Sequence, residues 1–370
     1  MGVDRQDKQR ILTSSNALEE IIRVVASAKV ARPFLVCSGS AERIPGWARF
    51  RKENEKMTIF SDFFPNPKYE SVEKGVALFR TSQSDGIISI GGGSAIDVAK
   101  TIKLFSAMEG NENFLMRPHR HSDLFHVAVP TTAGTGSEST RFSVIYHDGK
   151  KYSVEDICMR PDVVILDASL LGTLPDQQKR STAFDALCQC IESLWAKGAG
   201  DESRGYAKQG LKLALSCFEG YLDGDEGMAE GMLMAANLSG RAIDLSKTTA
   251  AHAMSYGVSS RFGIAHGHAV ALLLPFVWKK ILKHPQAQKD QRLSSALDTI
   301  TECFEVSERE AGVERFVKLF QGSGLPVPCA SLEDISELVP HVNLQRLGNT
   351  PVDLSAGDLT EIYRCAFGIQ

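Results

Sequence analysis

Just short of its midpoint this 370-residue chain changes the period of its apolar pattern, and that change limits the folds open to it. Up to Leu174-Pro175, short apolar runs alternate with longer amphipathic stretches, which is the signature of α/β architecture. Strands are expected at 33–37, 57–60, 86–90, 126–129, 142–146 and 163–166. Helices are expected at 17–28 and 69–81, where apolar residues recur at spacings of three and four. The linker FFPNPKYE carries two prolines, and Pro67 suits the first turn of the helix that follows. From Gln177 onward only helical periodicity remains, broken by glycine-rich turns at 197–200 and 321–324. The pattern predicts an α/β domain over 1–172 and an all-helical domain over 173–370, each long enough for its own core. There is no internal repeat and no low-complexity segment.

The charge balance narrows the partners. A net charge of −4 with no long basic run or interleaved aromatic stripe argues against a nucleic-acid surface. The apolar run 269–278 is too short to span a bilayer, so no membrane partner is expected. The N-terminal MGVDRQDKQR is polar and lacks the apolar core of a signal peptide. Eight cysteines without a CxxC read as reduced thiols in a cytoplasmic enzyme. Cys188 and Cys190, two apart on a helix, point in different directions and do not suit a shared metal.

Three segments carry chemistry. DGIISIGGGSAIDVAK (85–100) reads as an apolar strand, a triple glycine and a helix. Glycine lets the backbone approach an anion closely, and the helix start aims N–H groups at it. Ser94 can cap that helix. The GxGxxG fingerprint is absent, and a plain tight turn remains open. A second loop, PTTAGTGSES (130–139), also follows a short strand. Two such loops at strand C-termini point to a dinucleotide crevice.

The third segment is TTAAHAMSYGVSSRFGIAHGHAVALLLPFVW (248–278), which carries His252 and His266 on two helix-like stretches. Upstream, STAFDALCQCIESLW (181–195) puts Asp185 and Gln189 at i and i+4, off the apolar stripe of Ala186, Leu187, Ile191 and Leu194. Together they make a four-ligand set of one carboxylate, one amide and two imidazoles for Fe²⁺ or Zn²⁺, with the amide the weakest donor. Two satisfied core histidines and a helix-dipole aspartate are the plainer alternative.

GGGSAIDVAK, PTTAGTGSE, KYSVED, ILDASLLGTLP, FDALCQCIES and HAMSYGVSSRFGIAHGHAVALLLP follow in the order and spacing of the iron-containing (group III) alcohol dehydrogenases. The chain resembles that family from about Pro33 to Trp278. The resemblance implies an α/β dinucleotide-binding domain, an all-helical domain and an active site in the cleft between them. It also implies a divalent metal (Fe²⁺ or Zn²⁺), NADPH or NADH, and a homodimer. Carried over residue by residue, it implies that Gly92, Gly93, Ser94 and Asp97 lie at the cofactor pyrophosphate. Thr131, Thr132 and Ser137 would line the cofactor, and Lys151 would reach its ribose or phosphate. The metal positions fall on Asp185, Gln189, His252 and His266. Gln189 departs from the family, which has histidine there. Tyr256 departs too, where many members carry a histidine near the substrate. DALCQ and KTTAAHAMSYGVSSRFGIAHGHAVAL, with KYSVED, are similar to phosphonoacetaldehyde reductases, which form 2-hydroxyethylphosphonate. Sulfoacetaldehyde and short unsubstituted aldehydes stay open as substrates.

On that resemblance the metal polarises an aldehyde oxygen and the nicotinamide delivers hydride. Tyr256 or His268 would return the proton, although a packed tyrosine is the alternative at 256; His268 is not counted as a ligand. Arg261, Lys247 and Arg141 are the cations expected to meet a phosphonate, although such residues are more often solvated surface residues. Ser38-Gly39-Ser40 stands where NAD-preferring relatives tend to place an aspartate, so NADPH is expected, with NADH tolerated. Two further readings compete: a lyase resembling the dehydroquinate synthases, and a nucleotide-binding chain that has lost its metal.

Overall fold

The structure is a computed structural model that describes residues 9–110 and 113–369. The chain divides into two compact units. One runs up to Thr132 and resumes over Gly136–Leu174; the other takes Ala133–Thr135 and the chain from Pro175.

The first unit is built on β1 (Arg10–Thr13), β2 (Pro33–Cys37), β3 (Thr58–Phe60), β4 (Gly86–Gly91), β5 (Phe125–Pro130), β6 (Phe142–His147), β7 (Lys150–Glu155) and β8 (Val163–Leu166). Its helices are α1 (Ala17–Ser27), α2 (Trp47–Glu53), α3 (Tyr69–Thr81) and α4 (Gly93–Ser106). Six strands pair in parallel in the order β1-β8-β5-β4-β2-β3. A parallel sheet is covered on both faces, so its strands read as unbroken apolar runs. In β2 and β4, Phe34, Val36 and Ile87 enter one core, while Leu35, Ile88 and Ile90 enter the other. Strand β1, only RILT and partly exposed, escapes sequence patterning. The expected strand at 142–146 forms outside the main sheet. As β6 it pairs antiparallel with β7 through the turn Asp148-Gly149, whose positive φ values (49° and 71°) suit a tight hairpin.

Topology locates the functional edge of this unit. From β2 the chain moves outward to β3, crosses back through α3 to β4, and then continues through α4 to β5 on the far side. The C-terminal ends of β2 and β4 therefore flank the point where strand order reverses, where open α/β sheets bind ligands. Register brings three loops to that edge, with Cys37 paired to Ile90 and Gly91 to Pro130.

The second unit is helical: α5 (Asp176–Trp195), α6 (Asp201–Asp223), α7 (Glu226–Ser246), α8 (Ala250–Phe262), α9 (His266–Lys283), α10 (Gln286–Lys289), α11 (Gln291–Cys303), α12 (Arg309–Gly322), α13 (Leu332–Leu338), α14 (Leu344–Gly348) and α15 (Ala356–Ala366). Helix α5 is its axis, buried from Ser181 to Trp195 and packed by α6, α7, α9 and α11. Trp195 of α5 meets Trp278 of α9 edge-to-face at 5.9 Å. Among the described residues, no helix is long and apolar enough to cross a membrane. All eight cysteines are unpaired.

Candidate metal centre and cofactor cradle

In the first unit the cradle is made of backbone. Gly91 has φ +153°, and a Cβ there would stand 2.7 Å from Ala95 Cβ; a Cβ on Gly92 would stand 3.1 Å from Thr132 Cγ2. Thr131 N–H closes the neighbouring loop onto Gly91 O at 3.0 Å. Only glycine fits at Gly91, and the space left by the missing side chains lies before the start of α4, where the N–H groups of Gly93 and Ser94 precede the first bonds of the helix, Ala95 N and Ile96 N to Gly92 O at 3.0 and 3.3 Å. That arrangement fits a diphosphate. Ser94 does not cap α4: Gly92 is the cap residue and supplies no side chain, while Ser94 lies inside the first turn. Ser38 adjoins the cradle, 3.7 Å from the position of a Cβ on Gly91, and its hydroxyl shares a 2.6 Å hydrogen bond with Ser40.

Asp97 and Ser137, expected at the cofactor, form part of the frame beneath it. Ser137 Oγ donates to Asp97 Oδ1, Val144 N–H donates to Asp97 Oδ2 at 2.9 Å, and Lys100 stands 3.4 Å from Oδ1. A carboxylate engaged in this way cannot serve a phosphate. Lys100, fully buried, ties the second loop to α4 by donating to Ser137 O and Thr140 Oγ1 at 2.9 Å, and to Phe142 O. Sequence reasoning missed it; the only available signal was a lysine at i+3 from Asp97 in an otherwise buried helix. Thr131 is buried and Thr132 half-buried. Lys151 lies on β7 opposite Tyr146. Arg141, at the open end of the same hairpin, is paired with Glu155 at 3.2 Å.

In the second unit the site is made of side chains. Asp185, Gln189 and Glu192 share one buried face of α5. His252 stands in the first turn of α8, and His266 is the first residue of α9. Gly267 allows the approach: a Cβ there would fall 2.1 Å from Ser181 O and 2.8 Å from Asp185 Cβ. The α9 start therefore rests directly on α5. The donor atoms of Asp185, His252 and His266 all lie within 4.8 Å of one another. His252 Nε2 is 3.4 Å from Asp185 Oδ1, and both atoms are buried without a hydrogen-bond partner. Orphaned polar atoms are costly in a protein interior, and a divalent cation between them satisfies both. The donor set fits the metal.

Glu192, not singled out in the sequence, aims the first imidazole. Its Oε2 accepts from His252 Nδ1, and its remaining capacity is filled by Thr249 Oγ1 (2.6 Å), Thr249 N (3.2 Å) and Ala251 N (2.8 Å). Trp195 Nε1 holds Thr249 Oγ1 in turn, at 3.0 Å. Such a carboxylate fixes the tautomer and leaves Nε2 for the ligand side. Its signal was a glutamate three residues beyond Gln189 in a helix otherwise buried all round. His266 Nδ1 meets Ser255 Oγ at 3.3 Å, and Tyr256 stacks on the His266 ring at 5.6 Å and 15°.

Burial opposes charge on Asp185, yet His252, His266 and the Gln189 amide hold its carboxyl below the usual range. Burial also opposes charge on His252, but Glu192 and Asp185 push its imidazole up to about 10. A cation held by His252 Nε2 would compete with a proton there, so its affinity would fall as pH is lowered.

Two expectations are corrected. His268 is fully buried; its Nε2 bonds to Pro326 O at 2.8 Å, its ring faces Phe320, and burial lowers its pKa. It is a core residue, because side chains two apart on a helix diverge. Arg261 is already matched by two carboxylates, Asp334 at 2.7 Å and Glu337 at 2.9 Å. Lys247 ends α7 at φ 61° and ψ 173°, a conformation usually left to glycine. Asn349 Nδ2 holds this turn by donating to Ser246 O and Thr248 O at 2.9 and 3.0 Å.

Comparison with known proteins places the chain in a family. The family description "Iron-containing alcohol dehydrogenase" matches residues 8–168, and "Fe-containing alcohol dehydrogenase family, C-terminal" matches residues 179–367. The chain belongs to the iron-containing alcohol dehydrogenase family, whose alcohol dehydrogenases and reductases are oxidoreductases acting on CH–OH with NAD(P). Long-chain-alcohol dehydrogenase 1 of Geobacillus thermodenitrificans is 28% identical over 355 residues, 91% of this chain and 88% of that protein. Aldehyde-alcohol dehydrogenase 2 of Entamoeba histolytica is 32% identical over 254 residues, 65% of this chain, but the match spans only 29% of that protein's length. The fold is shared with sulfoacetaldehyde reductase from Bifidobacterium kashiwanohense, solved with NAD⁺, at TM-score 0.87 and 24% identity, covering 98% of this chain and 97% of that one.

Proposed function

We propose that this chain reduces a short aldehyde to its alcohol with NAD(P)H, and that phosphonoacetaldehyde, giving 2-hydroxyethylphosphonate, is its substrate. The observation that carries the reading is the buried, orphaned pair Asp185 Oδ1 and His252 Nε2 beside His266. Asp185, His252 and His266 would hold Fe²⁺ or Zn²⁺, and the backbone from Gly91 to Ser94 would hold the cofactor diphosphate. Bound there, the cation supplies Lewis acidity to a carbonyl oxygen and the nicotinamide supplies hydride. Glu192 keeps the proton on His252 Nδ1, so that Nε2 stays a ligand. Tyr256 Oη–H is the proposed proton donor, supported by its stacking on His266. The absence of a carboxylate at Ser38 to Ser40 supports a preference for NADPH. The proposed assembly is a homodimer, which sedimentation tests.

The experiment is NADPH and NADH oxidation by metal-loaded protein across phosphonoacetaldehyde, sulfoacetaldehyde and propanal. The expected result is turnover of all three, with the highest kcat/KM for phosphonoacetaldehyde and NADPH. Protein that binds nucleotide but neither metal nor aldehyde would end the reading. Tyr256→Phe should lower kcat by about 10²–10⁴-fold and flatten its pH profile, with metal content unchanged.

A further inference from the structure

Gln189 stands one turn from Asp185 on α5, where a fourth metal donor would be sought. Its amide is committed at both ends. Nε2 donates to Thr135 O at 3.3 Å, and Oε1 accepts from Ser239 Oγ at 2.8 Å. This orientation gives Thr135 O, which can only accept, its donor. An NH₂ group has no lone pair to give a cation. Among the described residues three donors remain at the cluster: two imidazoles and one carboxylate. That set typically holds a divalent metal on one face and leaves several positions open.

A second observation concerns charge. The substrate proposed above is an anion, yet Arg261 and Arg141 are already matched by Asp334, Glu337 and Glu155. A cation at the metal position is a further electrophile open to the anionic end of the substrate. We infer that Gln189 is a positioning strut rather than a ligand, and that the coordination position it leaves vacant takes an oxyanion of the substrate. The preferred substrates are then aldehydes with a phosphonate or sulfonate on the carbon next to the carbonyl. Carbonyl oxygen, two carbons, phosphorus and one phosphonate oxygen close a six-membered ring with the cation. Linking two weak donors in one molecule raises the effective concentration of the second. This inference rests on the metal-dependent reading above.

The test uses Co²⁺-loaded full-length protein, followed by visible absorption and by Co²⁺ affinity. With the original Gln189, 2-hydroxyethylphosphonate should shift the cobalt bands and bind about tenfold tighter than 1-propanol, or better. Gln189→His should raise Co²⁺ affinity, change the ligand-free spectrum and abolish the advantage of the phosphonate. Gln189→Ala covers the case in which the histidine variant does not fold. It should weaken Co²⁺ binding by up to about 100-fold, as for other outer hydrogen-bond partners, while keeping the ligand-free bands and the phosphonate response. Ligand-free bands that move in Gln189→Ala would make the amide a ligand and overturn the inference, as would a phosphonate that leaves the original spectrum unchanged. If propanal is still reduced in that event, the dehydrogenase reading stands and only the two-point contact falls. No metal binding and no reduction of any aldehyde would remove the reading itself.

Discussion

The two candidate sites are built from opposite materials. In the α/β unit the cradle between β4 and α4 is backbone, shaped by side chains that are missing from Gly91 and Gly92. In the helical unit the cluster at α5, α8 and α9 is side chain throughout, with Gly267 serving only to let two helices meet. A backbone site is tuned by conformation and is lost when a Cβ is added. A side-chain site is tuned by donor identity and is lost when one atom changes.

Asp185→Asn should produce the largest effect. It removes a charged donor and leaves His252 Nε2 facing an amide, so metal content should fall to background by elemental analysis while nucleotide binding persists. Loss of nucleotide binding in that variant would break the distinction between the sites. Gly91→Ala is the converse. A Cβ there meets Ala95 Cβ at 2.7 Å and shifts the turn off the geometry that suits a diphosphate, so NAD(P)H should bind about tenfold more weakly or worse by fluorescence titration, with metal content unchanged. Glu192→Gln sharpens the comparison within the helical unit. It keeps the shape but weakens the hold on His252 Nδ1, and metal affinity should drop about 10–100-fold by competition with a chelator. Metal binding as tight as before would assign Glu192 to packing alone. Arg261→Ala is the smallest change: a solvent-screened ion pair adds little to stability, so a melting curve should barely move. A KM for phosphonoacetaldehyde that rises far more than that for propanal would return Arg261 to the substrate site.

The glycine loop was legible because its signal is local. A strand, GGG and a helix in succession specify a turn whose geometry depends on a few neighbouring residues. The metal set was legible only in part. Asp185, His252 and His266 stood out as polar residues in apolar helices, but Glu192 was passed over and His268 was offered a role it cannot take. Helical spacing says which residues share a face. It does not say which face meets which neighbour.

Sequence alone determined the class of each unit, because a period of two or of 3.6 is written into every short window of chain. It also determined the need for glycine at the cradle, where no other residue can adopt the backbone. Only the tertiary structure decided that Asp97 braces a loop instead of meeting a phosphate, that Arg261 is neutralised by α13, and that Gln189 turns its NH₂ end toward Thr135 O. Each of those outcomes depends on a partner far away in sequence, such as Val144, Glu337 or Thr135. A side chain's role is fixed by the atoms that satisfy it, and folding chooses those atoms.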